Sequence, residues 1–227
     1  MQVRLLVVLL VSLAGLLSAQ EASVRGSVEV LHHSETASGN ADVVVWLTPA
    51  QGASSVPSGP TARLLQKGKK FIPHVVAVTQ GTEIEFPNQD LFFHNVFSIH
   101  QGKTIDLGLY ESGAARKVRF TQTGVSYIFC NIHPEMSAVV VVLRTRYFTV
   151  TDQDGAFQIG AIPPGTYKLG IWYELSPAGE LTSNPQTVEI TLGENILPKI
   201  TLHSSDAPKE HLNKFGEPYY ADTESAH

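Results

Sequence analysis

Apolar and polar positions alternate over residues 23–30, and β-branched residues crowd residues 41–47 and 138–143. Such runs predict β-strands, because branched side chains pack well on a half-buried pleated surface. Turn residues break the runs at short spacing, as in Asp152-Gln153-Asp154-Gly155, Pro163-Pro164-Gly165 and Leu192-Gly193. Beyond the first twenty residues no stretch carries a sustained helical period of apolar positions with caps at its ends. The predicted fold class is all-β, built from β-sandwiches with regular turns.

The rhythm changes along the chain. Residues 21–50 hold two strands joined by a polar segment over 31–40. Residues 51–60 are rich in Ser, Gly and Pro and predict a linker with no core of its own. A second block spans 61–145, and a different strand pattern runs over 146–203. Residues 204–227 are polar apart from Leu212, Phe215, Tyr219 and Tyr220, and predict an extended tail. At the other end, Arg4 precedes an apolar run over 5–17 broken only by Ser12, with small residues at Ser18, Ala19 and Ala22. This predicts a signal peptide over 1–19. The run falls short of the roughly 20 residues that span a bilayer as a helix, so no stable membrane span is expected after cleavage. The protein is expected to be exported, to the periplasm in the first instance, with secretion as the alternative.

A formal net charge of −5 argues against nucleic acid as a partner. Cys130 is the sole cysteine, so an internal disulfide is excluded. A lone thiol in an oxidising compartment is a liability unless it is buried or ligated. Its neighbours supply a reason for it. In Cys130-Asn131-Ile132-His133-Pro134-Glu135-Met136, the sole thiol and the only methionine besides Met1 flank a histidine. Upstream, Phe92-Phe93-His94-Asn95 offers a second imidazole. Thiolate, two imidazoles and a thioether form the soft-to-borderline donor set of a blue copper site. The spacing suits a loop leaving a strand at Cys130, because Pro134 cannot continue a central strand.

Three rivals use the same residues. One is a buried structural thiol with surface histidines nearby. A zinc site from Cys130, His94 and His133 leaves Met136 without a role, since thioether is not a usual zinc ligand. A cysteine nucleophile with His133 as its base leaves Pro134 and Met136 unexplained. The remaining histidines (His32, His33, His74, His100, His203, His211 and His227) lack ligand spacing and read as surface polar residues. Asp152 and Asp154 open like a calcium loop, but Pro163 stands where the distal acid belongs, so a β-turn is predicted. Lys67-Gly68-Lys69-Lys70 reads as a solvated turn.

Residues 71–143 resemble the cupredoxin family in the order of Phe71-Ile72-Pro73, Gly81 to Asp90, His94-Asn95-Val96 and the late Cys-x-x-His-Pro-x-Met loop. That loop is most similar to the amicyanin type, plastocyanins having a longer His-to-Met interval. The resemblance implies a Greek-key β-sandwich holding one type 1 copper ion through His94, Cys130, His133 and Met136. It also implies that Asn95 ties the two ligand loops together, and that His133 is the solvent-facing electron port. On either side, Val24-Arg25-Gly26-Ser27-Val28 with residues 41–47, and residues 150–171, resemble a carboxypeptidase-regulatory-like, or transthyretin-like, sandwich. The cupredoxin would then be inserted between the second and third strands of that sandwich. A tandem arrangement, with residues 21–50 as edge strands of the cupredoxin, is the rival. Four protein ligands leave no open position on the metal, so single-electron carriage between redox protein partners is expected rather than catalysis. A copper carrier or storage protein, and an extracellular binding module with a structural copper site, are the alternatives.

Overall fold

The computed structural model describes residues 21–31, 39–51, 56–100, 103–176, 186–205 and 211–219, and every regular element among them is a β-strand. The expected signal peptide, together with His32, His33, His227 and the side chain of His100, lies outside the described residues.

Five strands form the central sheet in the order Val75–Thr79, Ser137–Leu143, Gly124–Phe129, His94–His100 and Lys103–Tyr110. A three-stranded sheet of Ala115–Arg119, Glu83–Pro87 and Ala62–Arg63 faces it. Leu64, Ile84, Phe86, Ile128, Val140 and Val142 fill the space between, and Cys130 and Met136 belong to the same core. The alternation in Glu83–Pro87 does what the pattern predicts, burying Ile84 and Phe86 and turning Glu83 and Glu85 outward.

The chain ends pair with each other outside this block. Ala22–Leu31 runs antiparallel to Ala156–Ile162 and parallel to Gly193–Ile196 and Ile200–His203. A second outer sheet takes the order Tyr147–Val150, Val44–Pro49, Gly165–Trp172 and Gln186–Ile190. Val24, Val28, Leu47, Phe157, Ile159 and Leu169 pack between these two sheets. At the hairpin before Ala156, Asp152 Oδ1 accepts the N–H groups of Asp154 (3.0 Å) and Ala156 (2.9 Å). Gly155 sits there at φ 79°, where an added Cβ would meet the Val28 carbonyl at 2.0 Å. The acids form a turn, as predicted from Pro163 standing in place of the distal acid.

Ser137–Leu143 explains itself in three dimensions. Its apolar run does not alternate because both faces are covered. Ala138, Val140 and Val142 face the central core, whereas Val139, Val141 and Leu143 join Val44 and Trp172 in a separate cluster. Each fully buried valine contributes about 1.5–3 kcal/mol over an exposed one. This strand therefore binds the central block to the outer sheets along its whole length. The expected linker is also less free than its composition suggests. Gly59 N–H lies against Thr79 Oγ1 at 2.6 Å and Thr82 Oγ1 at 3.0 Å, which pins its end to the central block.

Candidate metal centre

Gly124–Phe129 and Ser137–Leu143 are antiparallel neighbours, and the Cys130 loop is the connection between them. Cys130 N–H donates to the Met136 carbonyl and Met136 N–H to the His133 carbonyl, each at 3.1 Å. Pro134 has no N–H to offer a ladder, so the residues between bulge away from the sheet. Cys130 follows the strand directly and is fully buried, as is Met136. His133, further out on the loop, is half-buried.

His94 begins the neighbouring strand and is also fully buried. Its Nδ1 lies 3.8 Å from Cys130 Sγ, and His133 Nδ1 lies 3.5 Å from the same sulfur. All three donor atoms fall within 4.8 Å of one another, so the cluster can hold a metal ion. Donors about 2.0 Å (nitrogen) and 2.3 Å (sulfur) from one ion at near-trigonal angles stand about 3.7 Å apart. The observed spacing fits that figure, and the donor set suits copper.

What aims His94 is Asp90. His94 Nε2–H donates to Asp90 Oδ2 at 2.8 Å, which leaves Nδ1 as the bare nitrogen facing the sulfur. Asp90 also accepts the N–H groups of Gly68 at 2.6 Å and Lys69 at 3.0 Å. Burial works to raise its pKa, but the hydrogen bonds from Lys69, His94 and Gly68 hold it below the usual carboxylate value. The carboxylate is therefore an anion held by three hydrogen bonds, four positions before His94 in sequence. The Lys67–Lys70 turn, expected to be only solvated, supplies two of its donors.

The structure thus brings His94, Cys130 and His133 together, with Met136 buried in the same core. Asn95 departs from expectation. Its Nδ2 donates to Asp106 Oδ1 at 2.9 Å instead of to the Cys130 loop, and its buried Oδ1 has no hydrogen-bond partner. The pairing register shifts between Asn95 and Phe97, which sets Asn95 beside the Asp106 strand. Phe92 lays its ring 5.1 Å from that of His94 and 5.6 Å from that of His133. Around it, Leu91 (94% exposed), Phe93 (53%) and Ile132 (44%) present apolar surface on the segments that carry His94 and His133.

Sequence reasoning missed two sets of residues. Asp90, four positions before His94, carried a signal only in that spacing. His211, Lys214 and Tyr219 carried none, because they lie in what reads as a polar tail. Residues 211–219 instead pack on the Cys130 loop, where Tyr219 O–H donates to the Cys130 carbonyl at 2.8 Å.

The sequence matches no protein-family model and no curated protein. In three dimensions part of the chain is similar to solved cupredoxins. A purple cupredoxin from Nitrosopumilus maritimus shares 24% identity over 36% of this chain and 99% of its own, with a TM-score of 0.34. A reduced amicyanin variant shares 21% over 43% of this chain and 99% of its own, at 0.35. A copper-containing nitrite reductase from Thermus scotoductus SA-01 shares 22% over 42% of this chain but only 25% of its own, at 0.36. The likeness covers less than half of the chain, and the side chains must carry any functional conclusion.

Proposed function

We propose that this protein is an exported type 1 copper protein carrying single electrons between redox protein partners. One observation carries the reading: two imidazole Nδ1 atoms converge on a buried thiol, one of them aimed by a carboxylate. His94, Cys130 and His133 would hold the ion, with the Met136 thioether as a weaker fourth donor. A bound copper ion supplies one-electron chemistry between Cu(I) and Cu(II).

The protein's own residues do the rest. Burial of Cys130 and His94 keeps bulk water from the donor atoms. Asp90 holds one ring rigidly, so few groups need to move when charge changes at the centre. His133, half-buried and beside Phe92, is the route to the surface, where Leu91, Phe93 and Ile132 offer an apolar docking face. In the same reading the chain folds as a cupredoxin block over 61–145 inserted into a transthyretin-like sandwich built from 21–50 and 146–203. Limited proteolysis in the connections near residues 54 and 144 should leave the outer pieces associated; their separation would favour the tandem arrangement. Among the described residues no helix is long and apolar enough to cross a membrane.

Adding Cu(II) to the purified protein tests the metal assignment. The expected result is the intense visible absorption of a copper–thiolate bond, lost in Cys130→Ser while the β circular dichroism is kept. A colourless copper-loaded protein would refute the assignment. Rapid copper loss to a chelator with no reversible electrochemical couple would favour a carrier over an electron shuttle.

A further inference from the structure

We propose that residues 211–219 are a strap that positions the Cys130 loop, with His211 and Tyr219 as positioning residues for the metal ligands; the inference rests on the copper reading above. The loop makes two backbone hydrogen bonds within itself, both near its base. The strap takes up two carbonyls on its outer side. Tyr219 O–H donates to the carbonyl of Cys130 at 2.8 Å, and His211 Nε2–H to that of Pro134 at 2.7 Å. These two carbonyls bracket His133 in the chain. The bonds therefore restrain the segment that carries the more exposed imidazole.

Further contacts make the strap part of the site's frame. The His211 ring stacks on Phe129, with centroids 3.9 Å apart, directly before Cys130 in sequence. Lys214 N–H donates to Asn131 Oδ1 at 2.9 Å. Its ammonium donates to Asp106 Oδ2 at 2.8 Å, and Asp106 Oδ1 accepts from Asn95, next to His94. The strap thus connects the two ligand-bearing walls that Asn95 does not join directly. It is also ordered by its own turn. Asn213 Oδ1 accepts the N–H groups of Phe215 at 2.9 Å and Glu217 at 3.0 Å, and Gly216 at φ 81° closes the bend. A pre-ordered turn loses less entropy on docking than a loose tail would.

Groups that orient metal ligands from behind typically matter by about 10–100-fold in metal affinity. The test compares the full chain with Tyr219→Phe and with Tyr219→Phe/His211→Ala. In metal-free protein, amide hydrogen exchange at Asn131, Ile132, His133 and Glu135 should rise in the double variant, with exchange in Ser137–Leu143 unchanged. With copper bound, release to a chelator should be about tenfold faster and the thiolate absorption band should shift. Tyr219→Phe keeps the ring and the fold and should give the same changes at smaller size. Unchanged loop exchange together with unchanged copper release would overturn the strap. If the wild-type protein gives no thiolate band, the copper reading fails, and exchange in the metal-free protein still decides whether the strap holds the loop.

Discussion

Two histidine–carboxylate pairs in this protein have similar lengths and opposite consequences. His94 Nε2 lies 2.8 Å from Asp90 within the central block, and His74 Nε2 lies 2.6 Å from Glu174, where the block meets the outer sheets. The difference is what the other ring nitrogen meets. His94 Nδ1 faces a thiol sulfur, so the ring needs only one proton, and the carboxylate decides which nitrogen carries it. His74 Nδ1 lies 3.2 Å from the Ser137 carbonyl, which can only accept, so both nitrogens are served best by the imidazolium. A carboxylate beside histidine aims a bare nitrogen at a thiol in the first pair and stabilises a charge in the second. The partner on the far side of the ring, more than the pair itself, sets the role.

Breaking the buried pair should have the larger effect. Asp90→Ala removes the acceptor for His94 and strands the N–H groups of Gly68 and Lys69. We expect about 10–100-fold weaker copper binding by chelator competition. Urea unfolding should show about 1–3 kcal/mol of lost stability even without metal, from the buried His94 N–H left without its acceptor. Asp90→Asn keeps an acceptor oxygen of similar shape and should fall between the two proteins. Wild-type copper affinity in Asp90→Ala would show that the ring is aimed by packing against Phe92 and Cys130 instead.

Much of this was open to sequence reasoning, and the exceptions share a cause. The strand Ala22–Leu31 was legible because one face is buried and alternation survives. The candidate donors His94, Cys130 and His133 were legible because Cys130 has no competitor, and because their order, with Met136 after them, is itself a pattern. Asp90 was not, since an acid beside Asn88 and Gln89 reads as an ordinary turn residue until its partners are seen in space. The strap was hidden for a related reason. Tyr219 and His211 address main-chain carbonyls, which every residue has, so their targets leave no trace in residue identity. Asn95 shows the converse: its residue type suggested a tie between loops, and a shift in strand register gave its amide to Asp106.

The partly buried pair gives the smallest effect, and its sign can be worked out. The hydrogen bond from Glu174 raises the His74 pKa above its ordinary value; burial opposes this, while the charges of Glu174 and Asp42 add to it. Asp42, across the same cleft, is itself raised by burial, with His74 pulling it down and Glu174 pushing it up. A histidine raised on folding binds its proton more tightly in the native state. Its contribution is fully present below the unfolded pKa of about 6.5 and is lost as pH rises through the higher folded value. The raised Asp42 acts in the same direction over the acid range, since ionising it in place becomes costly as pH rises. His74 is partly exposed, so solvent screens the pair and about 0.2–1 kcal/mol is the expected size. Glu174→Gln should therefore lower stability by that amount near about pH 5.5 and hardly at all near about pH 9, read from urea midpoints at both. Added salt should shrink the difference at the lower pH. An equal loss at both pH values would mean that Glu174 holds the outer sheets by packing rather than by charge. The comparison with Asp90 would then rest on burial alone.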